Sequence, residues 1–200
     1  MKQLLIDSWN TLDASSIDEG VRRKDGKLII SGVIQRAESL NQNGRKYPRN
    51  VLDREVEKYK KVQIAERRAY GELDHPDRSV VEFKTSCLNM LDLWWEGNDL
   101  CGSMEILTNL PCGKIVEGVL QHNLKIGISS RGLGSVKQLG EGTVEVEDDF
   151  EIVCWDIVTN PSTHGAFMEV VTEGKTDVLH TAQNRLIRID SLINDIIALS

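Results

Sequence analysis

Hydrophobic positions along this chain change their spacing from one segment to the next, and each spacing predicts a different element. Residues 27–36 are rich in β-branched side chains and predict a strand. The segment from Val51 to about Arg68 predicts a helix with Asn50 as its N-cap. The apolar stripe of this helix comprises Val51, Leu52, Val56, Tyr59 and Val62. We therefore expect a strand followed by an amphipathic helix.

The middle of the chain predicts a hairpin and a second helix. Segments 80–95 and 100–107 flank the turn-forming residues 96–99, as the two strands of a hairpin do. A short helix is expected to begin at Pro111. Its apolar positions follow the i, i+1, i+4, i+5 spacing of a buried helix face and comprise Ile115, Val116, Val119 and Leu120.

Four further strands are predicted in the second half. Residues 124–129 form an apolar run that ends in a serine pair, and the glycines that follow indicate a loop. Segments 135–139 and 143–147 predict a hairpin, and residues 150–159 form the most strand-like run of the chain. The pattern as a whole is that of an α+β chain rich in strands.

The last segment has a different pattern. Residues 173–175 are typical of a linker. Beyond them, apolar residues recur at alternating spacings of three and four, as in a heptad seam: Leu179, Ala182, Leu186, Ile189, Ile193 and Ile196. A helix of this kind can pack on its own domain, on a second copy of the chain or on another helical protein.

Composition narrows the class of protein. Two hundred residues suit one domain, with or without an appendage. The net charge of −7 argues against nucleic-acid binding, which requires clustered Lys and Arg. The four cysteines contain no C-x-x-C pair, which argues against a zinc site, and no run approaches the roughly 18 apolar residues of a membrane helix. We expect an intracellular protein with free buried thiols and without membrane segment, metal or cofactor.

His75 is the first candidate for chemistry. It stands in the segment Gly-Glu-Leu-Asp-His-Pro at residues 71–76. Pro76 restricts the neighbouring backbone and the preceding helix anchors the other side, so the imidazole is held as a general base has to be. A single histidine in such a turn is more often a surface residue.

Ser129 and Ser130 are candidate nucleophiles. They lie where the apolar strand meets the glycines, and a serine nucleophile needs an exposed hydroxyl with backbone N–H groups near the oxyanion. Gly132 lets the chain present such donors. Arg131 could support the developing charge or bind an acidic group of a substrate. The alternative interpretation is a polar strand end with a solvated arginine.

Asp156 completes the set of candidates. It interrupts a strongly apolar strand, where a carboxylate is costly to bury unless it is paired. Pairing with an imidazole would orient that base and stabilise its charged form. Alternation along the strand allows instead that Asp156 faces water, and His164, in the following loop, competes as third member of a triad.

Several of these segments together resemble one family, the prohead proteases of tailed bacteriophages of the T-even type. The resemblance extends over residues 4–168, and its most distinctive part is Gly-Ile-Ser-Ser-Arg-Gly-Leu-Gly-Ser at 127–135. The other matching segments are residues 4–9, 43–48 and 71–76, Trp94-Trp95 with residues 97–99, and Asp156 upstream of Asn160-Pro161-Ser162.

The resemblance implies a fold and a set of site residues. The fold is similar to that of the herpesvirus assemblins, a mostly antiparallel β-barrel surrounded by helices. His75 matches the family base and Ser129 the nucleophile. The spacing to glycine in related viral proteases favours Ser130 instead. Asp156 matches the phage pattern as third member, whereas assemblins use a second histidine, which corresponds to His164.

The resemblance also implies a function. Such enzymes are serine endopeptidases that cut scaffold or core proteins, capsid proteins and themselves inside the immature capsid, in the host cytoplasm, after an apolar-x-Glu sequence. This chain carries Val171-Thr172-Glu173 before Gly174. We therefore expect a protease domain at 1–173, a helical tail at 174–200 that is shed by cleavage after Glu173, and a homo-oligomer. A catalytically silent capsid-assembly or scaffold protein is the alternative, since the acidic balance and the heptad tail suit it equally.

Overall fold

A computed structural model of the chain describes residues 2–6, 23–24, 26–159 and 168–170. The helical elements are α1 (Arg49–Tyr59), a π-helical turn that continues it (Lys60–Ile64) and α2 (Pro111–Gln121). The strands are β1 (Gln3–Ile6), β2 (Arg23–Lys24), β3 (Lys27–Arg36), β4 (Arg45–Lys46), β5 (Tyr70–Glu72), β6 (Ser86–Glu96), β7 (Asp99–Ile106), β8 (Gly127–Gly134), β9 (Val136–Gly140), β10 (Thr143–Val146), β11 (Glu151–Val158) and β12 (Glu169–Val170).

The strands form three sheets. One has the order β1-β8-β11, the second β4-β10-β9 and the largest β12-β3-β7-β6-β5, with β2 added to β3. A parallel bridge between Leu73 and Ile157 joins the end of β5 to β11, so the first and third sheets meet beside this bridge. The β-rich α+β class is confirmed. Over the described ranges, however, the strands make three separate sheets rather than the closed barrel that the assemblin resemblance implies.

Two hydrophobic clusters form the core. The larger lies between the third sheet, α2 and one face of the β8–β11 pair, and it includes the fully buried ring of Trp155, which meets Tyr59 edge-on at a centroid distance of 5.0 Å. The smaller packs α1 against residues of β1 and β10 and includes Tyr47 and Phe150, whose ring centroids are 5.3 Å apart. Each large side chain buried in this way contributes roughly 1.5–3 kcal/mol. These clusters fix the strands that carry the candidate site.

The first helix differs from its prediction at both ends. It begins at Arg49 after Pro48, whose φ of −61° suits an N-terminal position, so Asn50 lies inside the helix and is not its cap. The α-helix ends at Tyr59 and the π-helical turn then shifts the angular phase of the side chains. For this reason Val62 is 38% exposed although it fits the predicted apolar stripe.

The second helix and most strands lie where the sequence predicts them. The strand at 27–36, the hairpin of β9 and β10, and β11 are confirmed, and so is the hairpin of β6 and β7, except that β6 begins at Ser86 and residues 80–85 are not part of a strand. Helix α2 begins at Pro111 as expected and buries Val116 and Leu120, but Ile115 is 54% exposed because only one side of this helix meets the sheet. None of the described helices is both long and apolar enough to cross a bilayer.

Strand β8 runs further than its prediction. The sequence predicts a strand at 124–129 that ends at the serine pair, whereas β8 begins at Gly127 and continues through Arg131 to Gly134. It pairs with β1 on one side and β11 on the other. Gly132 is required here since a Cβ at this position would overlap the Phe150 ring. The glycines therefore allow close packing inside a strand and do not form the predicted loop.

Candidate active site

The connection after β5 presents His75. Gly71, in β5, lies so close to β11 that a Cβ there would overlap the carbonyl oxygen of Trp155. The Asp74 N–H donates to the carbonyl of Ile157 at 2.9 Å, which ties the start of the turn to the same strand. Asp74 and His75 both have positive φ, 63° and 45°, a conformation that L-residues adopt mainly where the surroundings enforce it. The close approach to β11 supplies that enforcement.

His75 and Asp156 form a hydrogen-bonded pair. The Nδ1 atom of His75 lies 2.7 Å from Oδ2 of Asp156. The histidine side chain is only 7% exposed and the aspartate side chain is fully buried. The prediction that Asp156 pairs with this imidazole therefore describes the geometry, and the alternative of a water-facing Asp156 is wrong.

Asp156 is held by several donors besides His75. Its Oδ1 atom accepts the Glu72 N–H at 2.8 Å and Nη2 of Arg131 at 3.2 Å. Burial alone would raise the pKa of Asp156, but the hydrogen bond from His75 and the charge of Arg131 more than offset it and bring the pKa below its ordinary value. Asp156 is thus ionised at neutral pH although its side chain is fully buried.

The two serines lie on opposite faces of β8. Ser129 is the register partner of Asp156 and Ser130 is the register partner of Trp155 in the antiparallel β8–β11 pair. Residues directly opposite each other in such a pair point to the same face, with Cα atoms about 4.5–5.5 Å apart. Ser129 therefore shares the face of Asp156, whereas Ser130 shares the apolar face of Trp155.

Both serines are buried, whereas the sequence analysis expects an exposed hydroxyl for a serine nucleophile. Ser129 is 1% and Ser130 is 4% accessible. The reason is that the strand runs on past the serine pair between two neighbours and does not open into a loop. A peptide would therefore reach Ser129 only after a local rearrangement.

Arg131 is entirely buried, contrary to a solvated arginine at a strand end. Its Nη1 atom donates to the carbonyls of Pro76 at 3.1 Å and Arg78 at 2.8 Å. Its Nη2 atom donates to the carboxylate of Glu72 and approaches Sγ of Cys154 at 3.1 Å. Its Nε atom lies 3.0 Å from Oδ2 of Asp156. The guanidinium faces protein groups on all sides and has zero accessible surface.

Glu72 is the site-adjacent residue that the sequence analysis does not single out. Its side chain is fully buried. One carboxylate oxygen accepts from Arg131, and the other accepts from Arg78, Thr85 and the Glu82 N–H. Burial would raise the pKa of Glu72, but these hydrogen bonds, with that of Thr85 the largest, lower it below its ordinary value. Its place in the His75 segment is the signal that could have identified it.

The cysteines are free thiols, and three of the four are buried. Cys154 lies beside Asp156, with Sγ 3.2 Å from Oδ1. Burial and the neighbouring carboxylate raise the pKa of this thiol well above its ordinary value, so it is not a thiolate nucleophile. Across the described ranges, no group of three or more His, Cys, Asp or Glu side chains is placed to hold a metal ion.

Some predicted site residues lie outside the described residues. They are His164, the alternative third member of the triad, and Glu173, the expected cleavage position. The linker and heptad tail also lie outside. Among the described candidates, the structure brings together His75, Asp156 and Arg131, with Ser129 on the same face, and it places Gly132 in the strand against Phe150.

Three comparisons with known proteins agree with one another. The family model for prohead core protein serine protease matches residues 5–176. The prohead core protein protease of Enterobacteria phage T4 is 33% identical over 189 residues, which cover 87% of this chain and 88% of that protein. The solved structure of the bacteriophage T4 capsid assembly protease, gp21, superimposes with a TM-score of 0.69 at 31% identity, and the match covers 78% of this chain and 98% of the other.

Proposed function

We propose that this chain, which belongs to the prohead core protein serine protease family, is a serine endopeptidase that works through Ser129, His75 and Asp156. Membership of the family supports a role as a protease of phage capsid maturation. One observation carries the assignment of residues. His75 bonds Asp156 at 2.7 Å, and Asp156 is the cross-strand partner of Ser129.

The first chemical step is proton transfer from the serine to the imidazole. Because Asp156 is ionised, its hydrogen bond with His75 favours the tautomer that carries the proton on Nδ1. Nε2 is then the basic nitrogen. It takes the Ser129 hydroxyl proton while Oγ attacks the carbonyl carbon of the scissile peptide bond, and Asp156 stabilises the imidazolium that forms.

The second half of the reaction returns the enzyme to its starting state. The imidazolium gives its proton to the leaving amine, the C–N bond breaks and an ester to Ser129 remains. Water then attacks this ester with His75 as base, which releases the new carboxyl end and restores the hydroxyl. Asp156 keeps its charge throughout, because its second oxygen is held by the Glu72 N–H and by Arg131.

Ser129 is preferred to Ser130 on geometric grounds. Only Ser129 shares the sheet face of Asp156, whereas Ser130 faces the side of Trp155, which is filled by the hydrophobic core. An imidazole held by Asp156 is therefore on the side of Ser129. His164 is not needed to complete the constellation.

The substrates follow from the family. We propose that the chain cleaves scaffold or core proteins and capsid proteins inside the prohead, in the host cytoplasm, with preference for apolar-x-Glu before the scissile bond. We also propose that it acts as a homo-oligomer, that residues 174–200 form a separate tail, and that cleavage after Glu173 sheds this tail. The Val171-Thr172-Glu173 sequence before Gly174 supports that position.

Alanine variants with a matched serine control test the mechanism. Ser129→Ala and His75→Ala should each lower cleavage of a peptide spanning residues 168–178 by about 10⁴-fold or more. Ser130→Ala removes a hydroxyl one residue away on the other face, and it should stay within about threefold of the unchanged enzyme. Loss of activity in Ser130→Ala with retention of activity in Ser129→Ala would show that Ser130 is the nucleophile. Full activity in both and in His75→Ala would end the serine mechanism.

Mass spectrometry of the full-length chain tests the cleavage position. The incubated active enzyme should yield a product that ends at Glu173, and Glu173→Gln should suppress it. The Ser129→Ala chain should remain intact alone and be cut when active enzyme is added. An active enzyme that cuts the peptide but keeps its own residues 174–200 would refute self-cleavage and leave the peptidase assignment intact.

A further inference from the structure

A buried charge cluster stands directly behind the proposed catalytic residues. It contains two carboxylates, Glu72 and Asp156, and two guanidinium groups, Arg78 and Arg131. Three of the four side chains are entirely buried, and that of Arg78 is 29% exposed. Burial of charge is costly unless every group is paired, and even paired buried charges add little net stability, so a stabilising role alone does not account for a cluster of this size.

Arg131 connects the two parts of the proposed site, the acid Asp156 and the turn that carries the base His75. Its guanidinium bonds Asp156 on β11 and also the carbonyls of Pro76 and Arg78, on the turn that presents His75. That turn carries two residues with positive φ, Asp74 and His75, and such a conformation persists only when neighbouring groups hold it. Arg131 thus fixes the acid and the backbone of the base at the same time.

Glu72 in turn fixes Arg131. Its carboxylate accepts a hydrogen bond from Nη2 of Arg131, and its own N–H donates to Oδ1 of Asp156. Its second oxygen accepts hydrogen bonds from Arg78, Thr85 and the Glu82 N–H. These bonds hold the two ends of the connection between β5 and β6 together. Glu72 also balances the positive charge of the buried Arg131.

We propose that Glu72 and Arg131 are positioning residues of the peptidase site. Arg131 holds Asp156 and the His75 turn in one arrangement, and Glu72 orients and neutralises Arg131. This rests on the proposed function of Ser129, His75 and Asp156. It assigns Arg131 a role different from an oxyanion or substrate ligand, because every face of its buried guanidinium meets protein groups.

Removal of a negative charge and removal of a positive charge from the cluster should shift the pH dependence of kcat in opposite directions. Glu72→Gln removes a negative charge near the imidazole, which disfavours imidazolium, so the acidic limb of the pH–kcat profile should move to lower pH. Arg131→Met removes a positive charge and should move that limb to higher pH. The titratable and charged groups of the described residues that face this cluster and stay unchanged are Tyr59, Arg78, Glu82, Cys87, Cys154 and Asp156, with Asp74 and Asp77 on the turn that carries His75.

Both variants should also lower kcat with little change in KM. A displacement of about 1 Å in the base or its orienting acid reduces turnover by about 100-fold, whereas peptide binding does not use these buried groups. We expect a loss of about 10–100-fold in kcat for each, with KM within about threefold. Arg131→Lys keeps the charge but loses the planar fork, so it should lose kcat without a shift of the limb.

The double variant Glu72→Gln with Arg131→Met keeps the proposal falsifiable if the single methionine variant does not fold. It removes one charge of each sign, so the acidic limb should return to its original pH while kcat stays low. Glu117→Gln is the matched control: Glu117 is a buried carboxylate paired with Lys114 at 2.8 Å on α2, outside this cluster. It should leave kcat and the limb unchanged.

The outcomes separate this proposal from the proposed function. Inactive Ser129→Ala together with Glu72→Gln and Arg131→Lys enzymes that are folded and fully active would overturn the positioning role alone. Limb shifts in the same direction for Glu72→Gln and Arg131→Met would also overturn it. An active Ser129→Ala enzyme would instead overturn the mechanism on which it rests.

Discussion

The two faces of the β8–β11 pair differ in chemistry, although the same two strands form both. One face carries Ser129, Arg131, Cys154 and Asp156, all within 1% of complete burial. The other carries apolar side chains of the larger core cluster, among them Ile128, Trp155 and Ile157. Both faces exclude water, but only one of them is held by charges.

The difference separates a face that serves stability from the face to which we assign the chemistry. The apolar face gains free energy from every side chain it buries. The polar face gains little net stability from its ion pairs, because desolvation offsets their attraction. What the polar face does provide is a fixed orientation of Asp156 and of the turn that carries His75. Substitutions on the two faces should therefore have different consequences.

The largest effect is expected on the polar face, from Asp156→Asn. An amide at this position no longer stabilises the imidazolium or enforces the Nδ1–H tautomer, so kcat should fall by about 10⁴-fold. Trp155→Phe, one residue away on the apolar face, should keep kcat within about threefold. Steady-state kinetics on the residue 168–178 peptide measures both. Equal losses in the two variants would remove the contrast between the faces.

The next effect is on stability and comes from the apolar face. Trp155→Ala should lower the free energy of unfolding by about 3–5 kcal/mol, because it opens a cavity beside Tyr59. Leu124→Ala is the control, since Leu124 is 56% exposed and its loss should change stability by less than about 0.5 kcal/mol. Urea unfolding followed by fluorescence or circular dichroism gives both values. A Trp155→Ala chain as stable as its control would contradict the assigned core.

A smaller effect is expected from Gly132→Ala, at the point where β8 passes the Phe150 ring. The added Cβ has no space there, so the free energy of unfolding should fall by about 1–3 kcal/mol. Gly118→Ala in α2 is the matched control, because no atom lies within 4 Å of a Cβ at that position. It should raise stability by about 0.4–1 kcal/mol. The same sign in both variants would show that β8 does not pass Phe150 as described.

The smallest effect is a dependence of stability on acid pH. The pKa values of Asp156 and Glu72 lie below the ordinary values of 3.8 and 4.5. Their contribution to stability is therefore fully present above those ordinary values and is lost as the pH falls through the lower values of the folded state. Urea unfolding at pH 6 and at successive steps below pH 4.5 should show a shallower decline for Asp156→Asn than for the unchanged chain. Parallel declines would contradict the linkage.

Local patterns were sufficient for most of the fold. The strands at 27–36 and 150–159 were predictable since their β-branched runs and turn boundaries lie within a few residues of each other. The buried pairing of Asp156 was predictable because a carboxylate in so apolar a strand requires a partner. Those inferences need no knowledge of distant contacts.

The remaining features depend on contacts between residues far apart in the chain. The continuation of β8 through its glycines depends on Phe150, and the burial of Arg131 depends on the meeting of β5, β8 and β11. A glycine pair and an arginine after a serine look the same in sequence whether they form a loop or a strand. The burial of Glu72 likewise depends on distant contacts, with Arg131 among them, and only its place in the His75 segment marks it in the sequence.

Covalent labelling tests directly whether Ser129 is activated by His75 and Asp156. The full-length chain is treated with a serine-directed phosphonate, and the tryptic peptide of residues 126–131, which contains both serines, is sequenced by tandem mass spectrometry. We expect an adduct on Ser129 that disappears in His75→Ala and persists in Ser130→Ala. An adduct on Ser130, or equal labelling in His75→Ala, would contradict it.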